Sequence, residues 1–256
     1  MAKRFESFVK EPIKYPHVHL CFDDHSVSNW YSCRQLLTKY EAKAAFYVDS
    51  FHLLEVSELQ MLKELRDDGH IIGCHSKSHK DAMNYSRKFN IDRYIDDEVI
   101  PAMEEMAGAG FKPTHFAFPY SRFDETLYSA VNPMFCYVRP GNESHFYAGE
   151  RMYFNPSRLE KQETPTETLI RNGDMEAVMT KLREGAEANH GISIVLHDVR
   201  PAGAPPHTGT HARAHITHGE LEQILNALKD NGYSYETFEK VCKYGSDPFD
   251  KPDGLV

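Results

Sequence analysis

Short apolar runs and longer helical stretches alternate along almost the whole of this chain, and that alternation limits the fold more than any other property of the sequence. The runs HVHLCF (17–22), KAAFYV (43–48), HIIGCH (70–75), THFAFP (114–119), MFCYVR (134–139), ISIVLH (192–197) and YSYETF (233–238) read as strands. Between them lie SELQMLKELRDDG (57–69), DRYIDDEVIPAMEEMAGAG (92–110), DMEAVMTKLREGAEAN (174–189) and GELEQILNALKDNG (219–232), whose apolar residues recur near the helical period. Ser57 is placed to cap the first of these helices. Strand and helix in turn build parallel strands with helical crossovers, so the expected fold class is α/β, a parallel sheet or barrel. No repeat and no linker splits the sequence, and a single domain over 1–256 with its core at about 17–240 is expected. Two segments, 140–173 and the His- and Pro-rich 200–219, carry too many turn formers for regular elements. The second follows a strand end directly, which suits a lid.

Composition narrows the partners. A formal charge of −9 argues against nucleic acid and anionic membrane surfaces, which require basic patches. No run approaches the length of a membrane span, and MAKRFESFVKEPIKYP lacks the apolar stretch of a signal peptide, so a cytoplasmic protein is expected. The five cysteines, Cys21, Cys33, Cys74, Cys136 and Cys242, form no CxxC and fit buried free thiols in a reducing compartment.

Parallel α/β folds gather their reactive groups at the carboxyl ends of the strands. Strand 17–22 ends at Asp23 and Asp24. Strand 70–75 ends at His75, with His79 beyond it. Strand 114–119 ends at Pro119 and Tyr120, and strand 192–197 ends at His197 and Asp198. Each motif alone is weak, but together they place ionisable groups from four strands on one rim.

HSKSH (75–79) puts two imidazoles at i, i+4, a spacing that chelates one metal. With 15 histidines in the chain, roughly one such pair is expected by chance. His207/His211 and His211/His215 share the spacing, but their loop enforces no geometry, and solvent-facing histidines are the simpler reading there. His75/His79 follows a strand and shares a rim with the aspartate pair. Two imidazoles and one carboxylate leave an open coordination position for water, the pattern of catalytic zinc sites. One aspartate would hold the metal and the other take the proton from its water. Without the histidines, Asp23 and Asp24 would read as a solvated turn.

CFDDH, then HSKSH about fifty residues on, then FAFPY and IVLHD, resemble the polysaccharide deacetylase (NodB-homology) family, carbohydrate esterase family 4, over roughly residues 17–240. The resemblance implies a single-domain distorted (β/α) barrel, often seven-stranded, and metal-dependent removal of acetyl groups from N-acetylated sugars. By position it implies Asp23 as general base and Asp24, His75 and His79 as metal ligands. It makes the backbone N–H of Tyr120 an oxyanion donor and His197 the general acid. Zn²⁺ suits the ligand set first, with Co²⁺, Ni²⁺ or Mn²⁺ as alternatives.

Three departures stand out. His25 replaces the usual Gly after the aspartate pair, where it crowds the metal side or adds a contact to metal or substrate. Ala117 stands where the family often carries a base-orienting Arg, leaving Arg122 or Arg139 to substitute. The Asp-x-x-Asp-Trp segment that often tunes the acid is not recognisable. His25, Trp30, Pro119, Arg122 and Arg139 are therefore candidate substrate-binding residues. Trp30, Tyr31, Phe118, Tyr120, Phe146 and Tyr147 could form a sugar-stacking surface, against the simpler reading of core packing. The expected partner is a carbohydrate or, alternatively, a small cyclic amide, ureide or formamido sugar. A retired, glycan-binding relative is the remaining reading.

Overall fold

The computed structural model describes residues 16–139, 166–169, 175–189, 191–201, 203–204 and 215–239. Strand β1 (His17–Asp24) is buried along its whole length and forms the axis of the molecule. It pairs in parallel with β2 (Ala44–Val48) on one side and with β7 (Ile192–Leu196) on the other. Through β3 (Ile71–Cys74), β4 (His115–Phe116), β5 (Tyr137–Val138) and β6 (Thr166–Leu169) the order is β5-β4-β3-β2-β1-β7-β6. The short β10 (Ser234–Tyr235) pairs with the start of β1, where β2 has not yet begun. All pairings are parallel, and the curled sheet is the (β/α) barrel architecture expected from the sequence.

All seven expected strands are present, but the path has a different seventh member. TETL (166–169) supplies it from within the segment read as irregular, whereas the 233–238 strand shrinks to the two residues beside β1. The 200–219 loop also holds regular structure at its ends: β8 (Asp198–Arg200) pairs with β9 (His215–Thr217). Phe146, Tyr147, His207 and His211 lie outside the described residues, as do Cys242 and the centre of the expected lid. Cys21, Cys33, Cys74 and Cys136 are buried thiols. No helix among the described residues is long and apolar enough to cross a membrane.

The helices pack on the outer face of the sheet. Val18, Leu20 and Phe22 of β1 meet Leu37, Leu62, Leu65, Met106, Leu221 and Leu225 in one apolar cluster. Strand alternation turns His17, His19, Cys21 and Asp23 the other way, into the barrel. There a small second cluster forms from Cys21, Ala45, Tyr47, Ile71, Ala117 and Val195. The helices are α1 (Val27–Ser32), α2 (Arg34–Lys39), α3 (Val56–Asp67), α4 (Ala82–Lys88), α5 (Ile91–Tyr94), α6 (Ile100–Gly108), α7 (Glu125–Val131), α8 (Met175–Glu187) and α9 (His218–Asp230). Helix α3 starts before Ser57, so that residue sits in the first turn instead of capping; Glu58 accepts the Glu55 N–H at 3.1 Å. Helix α9 is capped by Thr217, which accepts from the Glu220 N–H while Glu220 accepts from the Thr217 N–H. The long helix expected over 92–110 is interrupted by a π turn, Ile95–Val99. Pro101, just beyond it, has no N–H for the preceding turn, and the wider winding accommodates that loss.

Candidate active site

The carboxyl rim of the sheet brings together Asp23 and Asp24 from β1, the His75–His79 loop after β3, Tyr120 after β4, Arg139 after β5 and His197 after β7. Neighbouring residues of a strand point to opposite faces. Asp24 departs from that rule with φ 82°, and both carboxylates converge on His75: Nε2 lies 3.8 Å from Asp23 Oδ2 and 3.9 Å from Asp24 Oδ1. His79 Nε2 is 3.2 Å from Asp24 Oδ1. Ser76, His79 and Tyr120 also have positive φ, at 67°, 55° and 61°. Such conformations cost non-glycine residues on the order of 1–3 kcal/mol each and persist where surrounding contacts impose them.

Asp24, His75 and His79 each offer one ligand atom, and those atoms lie within 4.8 Å of one another. His75 Nδ1–H donates to the Ala117 carbonyl at 2.8 Å, which leaves the Nε2 lone pair facing Asp24. One carboxylate and two imidazoles oriented in this way fit a divalent metal. No other trio among the described residues meets the same spacing.

Asp23 faces the barrel interior and receives both arms of Arg139, Nη1 to Oδ1 at 2.5 Å and Nη2 to Oδ2 at 2.6 Å. Arg139 is buried and lies over the Tyr47 ring, 5.0 Å from its centroid. The Tyr47 hydroxyl meets His19 Nε2 at 3.1 Å, and His19 Nδ1–H donates to the Glu236 carbonyl at 2.9 Å. A Cβ at Gly73 would come within 2.7 Å of the Tyr47 ring, so only glycine leaves the ring its place. Of the two arginines available to replace the one absent at Ala117, it is Arg139 that reaches Asp23; Arg122 pairs with Asp81 instead. Both therefore depart from the expected substrate contact: Arg139 is sealed under the aspartate, and Arg122 is engaged by the carboxylate that caps α4.

Burial by itself would raise Asp23 and Asp24. Arg139 and His75 outweigh it at Asp23, and the bond to His79 with the charges of His197 and His75 outweighs it at Asp24, so both carboxyls titrate below the usual range. Burial lowers His75. At His79 burial acts in the same direction, but the hydrogen bond and charge of Asp24 reverse it and the ring is raised.

Trp30 departs from its expected place on a sugar-stacking surface. It is fully buried against Phe22 and Phe46, and its Nε1–H donates to the His197 carbonyl at 2.6 Å. His197 is half-buried, and its Nδ1 is buried without a hydrogen-bond partner. Phe118 is core, packed on Phe116 and Phe123. Tyr31 is half-buried, its hydroxyl donating to Glu64 at 2.5 Å, while Tyr120 is 57% exposed, its ring edge-on to His79 at 4.6 Å; Pro119 beside it is buried. His25 is half-exposed and donates from Nδ1 to the buried Asp49 at 2.6 Å, a bond that raises its pKa. Asp49, Tyr47, His19 and Glu98 escape the sequence reading. Asp49 alone had a signal, since it follows the strand AAFYV as Asp24 ends β1.

A family model described as polysaccharide deacetylase matches residues 10–134. No curated protein matches the sequence. Among solved structures, a family 4 acetyl xylan esterase from Clostridium thermocellum in complex with a cobalt ion is 22% identical, with TM-score 0.57 over 90% of this chain and 94% of that one. The catalytic domain of a peptidoglycan N-acetylglucosamine deacetylase from Eubacterium rectale is 18% identical, with TM-score 0.53 over 91% and 94%. The Xyl-CE4 domain of a multidomain xylanase from the hindgut metagenome of Trinervitermes trinervoides is 19% identical, with TM-score 0.53 over 90% and 91%. At these identities the likeness to the solved structures is one of fold. With the rim motifs, the family model over residues 10–134 and that shared fold, the chain is similar to the polysaccharide deacetylases of carbohydrate esterase family 4.

Proposed function

We propose that the chain is a metal-dependent hydrolase that removes acetyl groups from an N-acetylated sugar, oligosaccharide or polysaccharide. The observation that carries this reading is a carboxylate held ionised by a buried arginine directly beside a three-ligand set. Asp24, His75 and His79 are the residues that would hold the metal, Zn²⁺ before Co²⁺, Ni²⁺ or Mn²⁺. When bound, such an ion acidifies a water and polarises the acetyl carbonyl. Asp23 is the base: Arg139 takes one lone pair of each oxygen and leaves the others to accept the proton from that water. The backbone N–H of Tyr120 stabilises the oxyanion, and His197 returns a proton to the leaving amine nitrogen. The exposed Tyr120 ring and Pro119 border the substrate's approach.

The test is acetate release from N-acetylglucosamine oligomers with added Zn²⁺ or Co²⁺, with Asp23→Asn as control. Acetate from the wild type alone supports the reading. Absence of acetate from metal-loaded wild type would overturn it. One observation favours a smaller substrate: His25, next in sequence to Asp24, is held by Asp49 at 2.6 Å. Formate or a ring-opened product from formamido sugars or cyclic ureides would select that alternative. Glycan binding without turnover of any of these would indicate a retired relative.

A further inference from the structure

We infer that Glu98 is a positioning residue that holds the His75–His79 loop in its metal-ready shape. The inference rests on the reading of Asp24, His75 and His79 as metal ligands.

The loop needs such a brace. Ser76 and His79 both have positive φ, so two of its five residues sit in backbone conformations that relax once external contacts are removed. The Ser76 hydroxyl accepts the His79 N–H at 3.1 Å, which ties the loop to itself but not to the barrel. The loop is tied to the protein body by the Ser50 N–H, which donates to the Lys77 carbonyl at 3.0 Å, and above all by Glu98. Its carboxylate accepts the Ser78 N–H at 2.9 Å on Oε2 and the Ser78 hydroxyl on Oε1. Its backbone carbonyl accepts the Lys77 N–H at 2.9 Å. Glu98 is buried, 4% exposed, while Ser78 itself is exposed. Three of the bonds that fix the segment between the two imidazoles therefore come from one residue.

Glu98 reaches the loop because of the π turn, Ile95–Val99, in which it lies. Wider winding changes the direction in which a helical side chain leaves the axis, and single π turns recur at functional sites for that reason. A buried carboxylate needs donors for both oxygens, and the loop supplies them. An apolar side chain of the same length would supply neither acceptor, whereas an amide would still take the Ser78 N–H on its oxygen and donate from its NH₂ to the Ser78 hydroxyl. Glu98 touches neither metal ligand side chain nor the reacting atoms, so its effect passes through the backbone of Ser78 to His79.

The experiment compares wild type, Glu98→Met and Ser78→Ala in two measurements on the metal-stripped chain: amide hydrogen exchange across 75–79, and Zn²⁺ and Co²⁺ titration by calorimetry. Glu98→Met should speed exchange at Lys77 and Ser78 and weaken metal binding by roughly 10- to 100-fold, the usual range for losing a brace behind a ligand. Ser78→Ala, a mild change at an exposed position, should weaken binding several-fold, and it carries the test if Glu98→Met does not fold. Folded variants with wild-type exchange and affinities within twofold of wild type would overturn the inference. Wild type that binds neither ion would instead overturn the metal reading, and exchange at Ser78 would still decide whether Glu98 holds the loop.

Discussion

The two halves of the rim are ordered by different means. On the base side, side chains brace side chains: Asp23 on Arg139, Arg139 over Tyr47, Tyr47 on His19, His19 on the Glu236 carbonyl. On the acid side the brace is on the main chain. Trp30 holds the carbonyl of His197, and the imidazole Nδ1 has no partner. A base has to be ionised and aimed before substrate arrives, which calls for fixed charge partners. For the acid proposed at His197, it is the backbone that is held in place and the ring nitrogen that is left without a hydrogen bond.

The largest expected effects lie in the chemistry. Asp23→Asn and His197→Ala should each lower kcat for an N-acetylated substrate by about 10²- to 10⁴-fold, with metal content unchanged. Denaturant unfolding should separate them. Asp23→Asn leaves Arg139 buried without its counter-charge and should lose stability, whereas His197→Ala breaks no side-chain hydrogen bond and should stay near wild type. Equal losses would erase the contrast between the halves.

Next in size is the arginine itself. Arg139→Met should cost roughly 3–5 kcal/mol in urea unfolding, because a buried carboxylate is left uncompensated. Arg122→Met, at a partly exposed pair, should cost about 1 kcal/mol or less. Similar midpoints for the two variants would show that Asp23 does not depend on its partner.

The buried histidines sharpen the comparison through pH. Burial lowers His17, His70 and His115 to about 4 and His19 to about 3. The unfolded chain takes up these protons from the ordinary histidine value near 6.5, and the folded chain does not. Stability should therefore be full above that value and fall as pH drops towards 4, by on the order of 1 kcal/mol per pH unit for each histidine. A urea midpoint that is flat from pH 7.5 to 5 would mean that the barrel floor is more open than His19 and His115 indicate.

The smallest effect tests the acid side. Trp30→Phe keeps the ring in the core and removes one hydrogen bond, so about 1 kcal/mol of stability and a few-fold loss of kcat are expected, with metal affinity unchanged. A wild-type kcat would mean that the main-chain brace has no part in placing His197.

The parts legible in the sequence were those written locally. Apolar runs located the strands, and the strand-end rule placed Asp23, Asp24, His75, His79 and His197 on one rim, where the structure has them. What escaped depends on the closed fold. That Arg139, not Arg122, meets Asp23 follows from the register of β5 against β4. That Trp30 is core follows from how α1 lies on the sheet. TETL was hidden because two threonines and a glutamate carry no apolar alternation. Glu98 was invisible because a regular helix over 92–110 would aim it elsewhere.

Two of the site's struts join distant parts of the chain: Arg139 is 116 residues from Asp23, and His197 is 167 from Trp30. The three ligands, by contrast, all fall within the first third of the sequence. Contacts of such long range form late, after the local elements and the first strand pairs. On the proposed reading, a chain emerging from synthesis would complete its ligand set before Asp23 is braced or His197 arrives. Ion capture would then mark an early stage of assembly, and turnover the last.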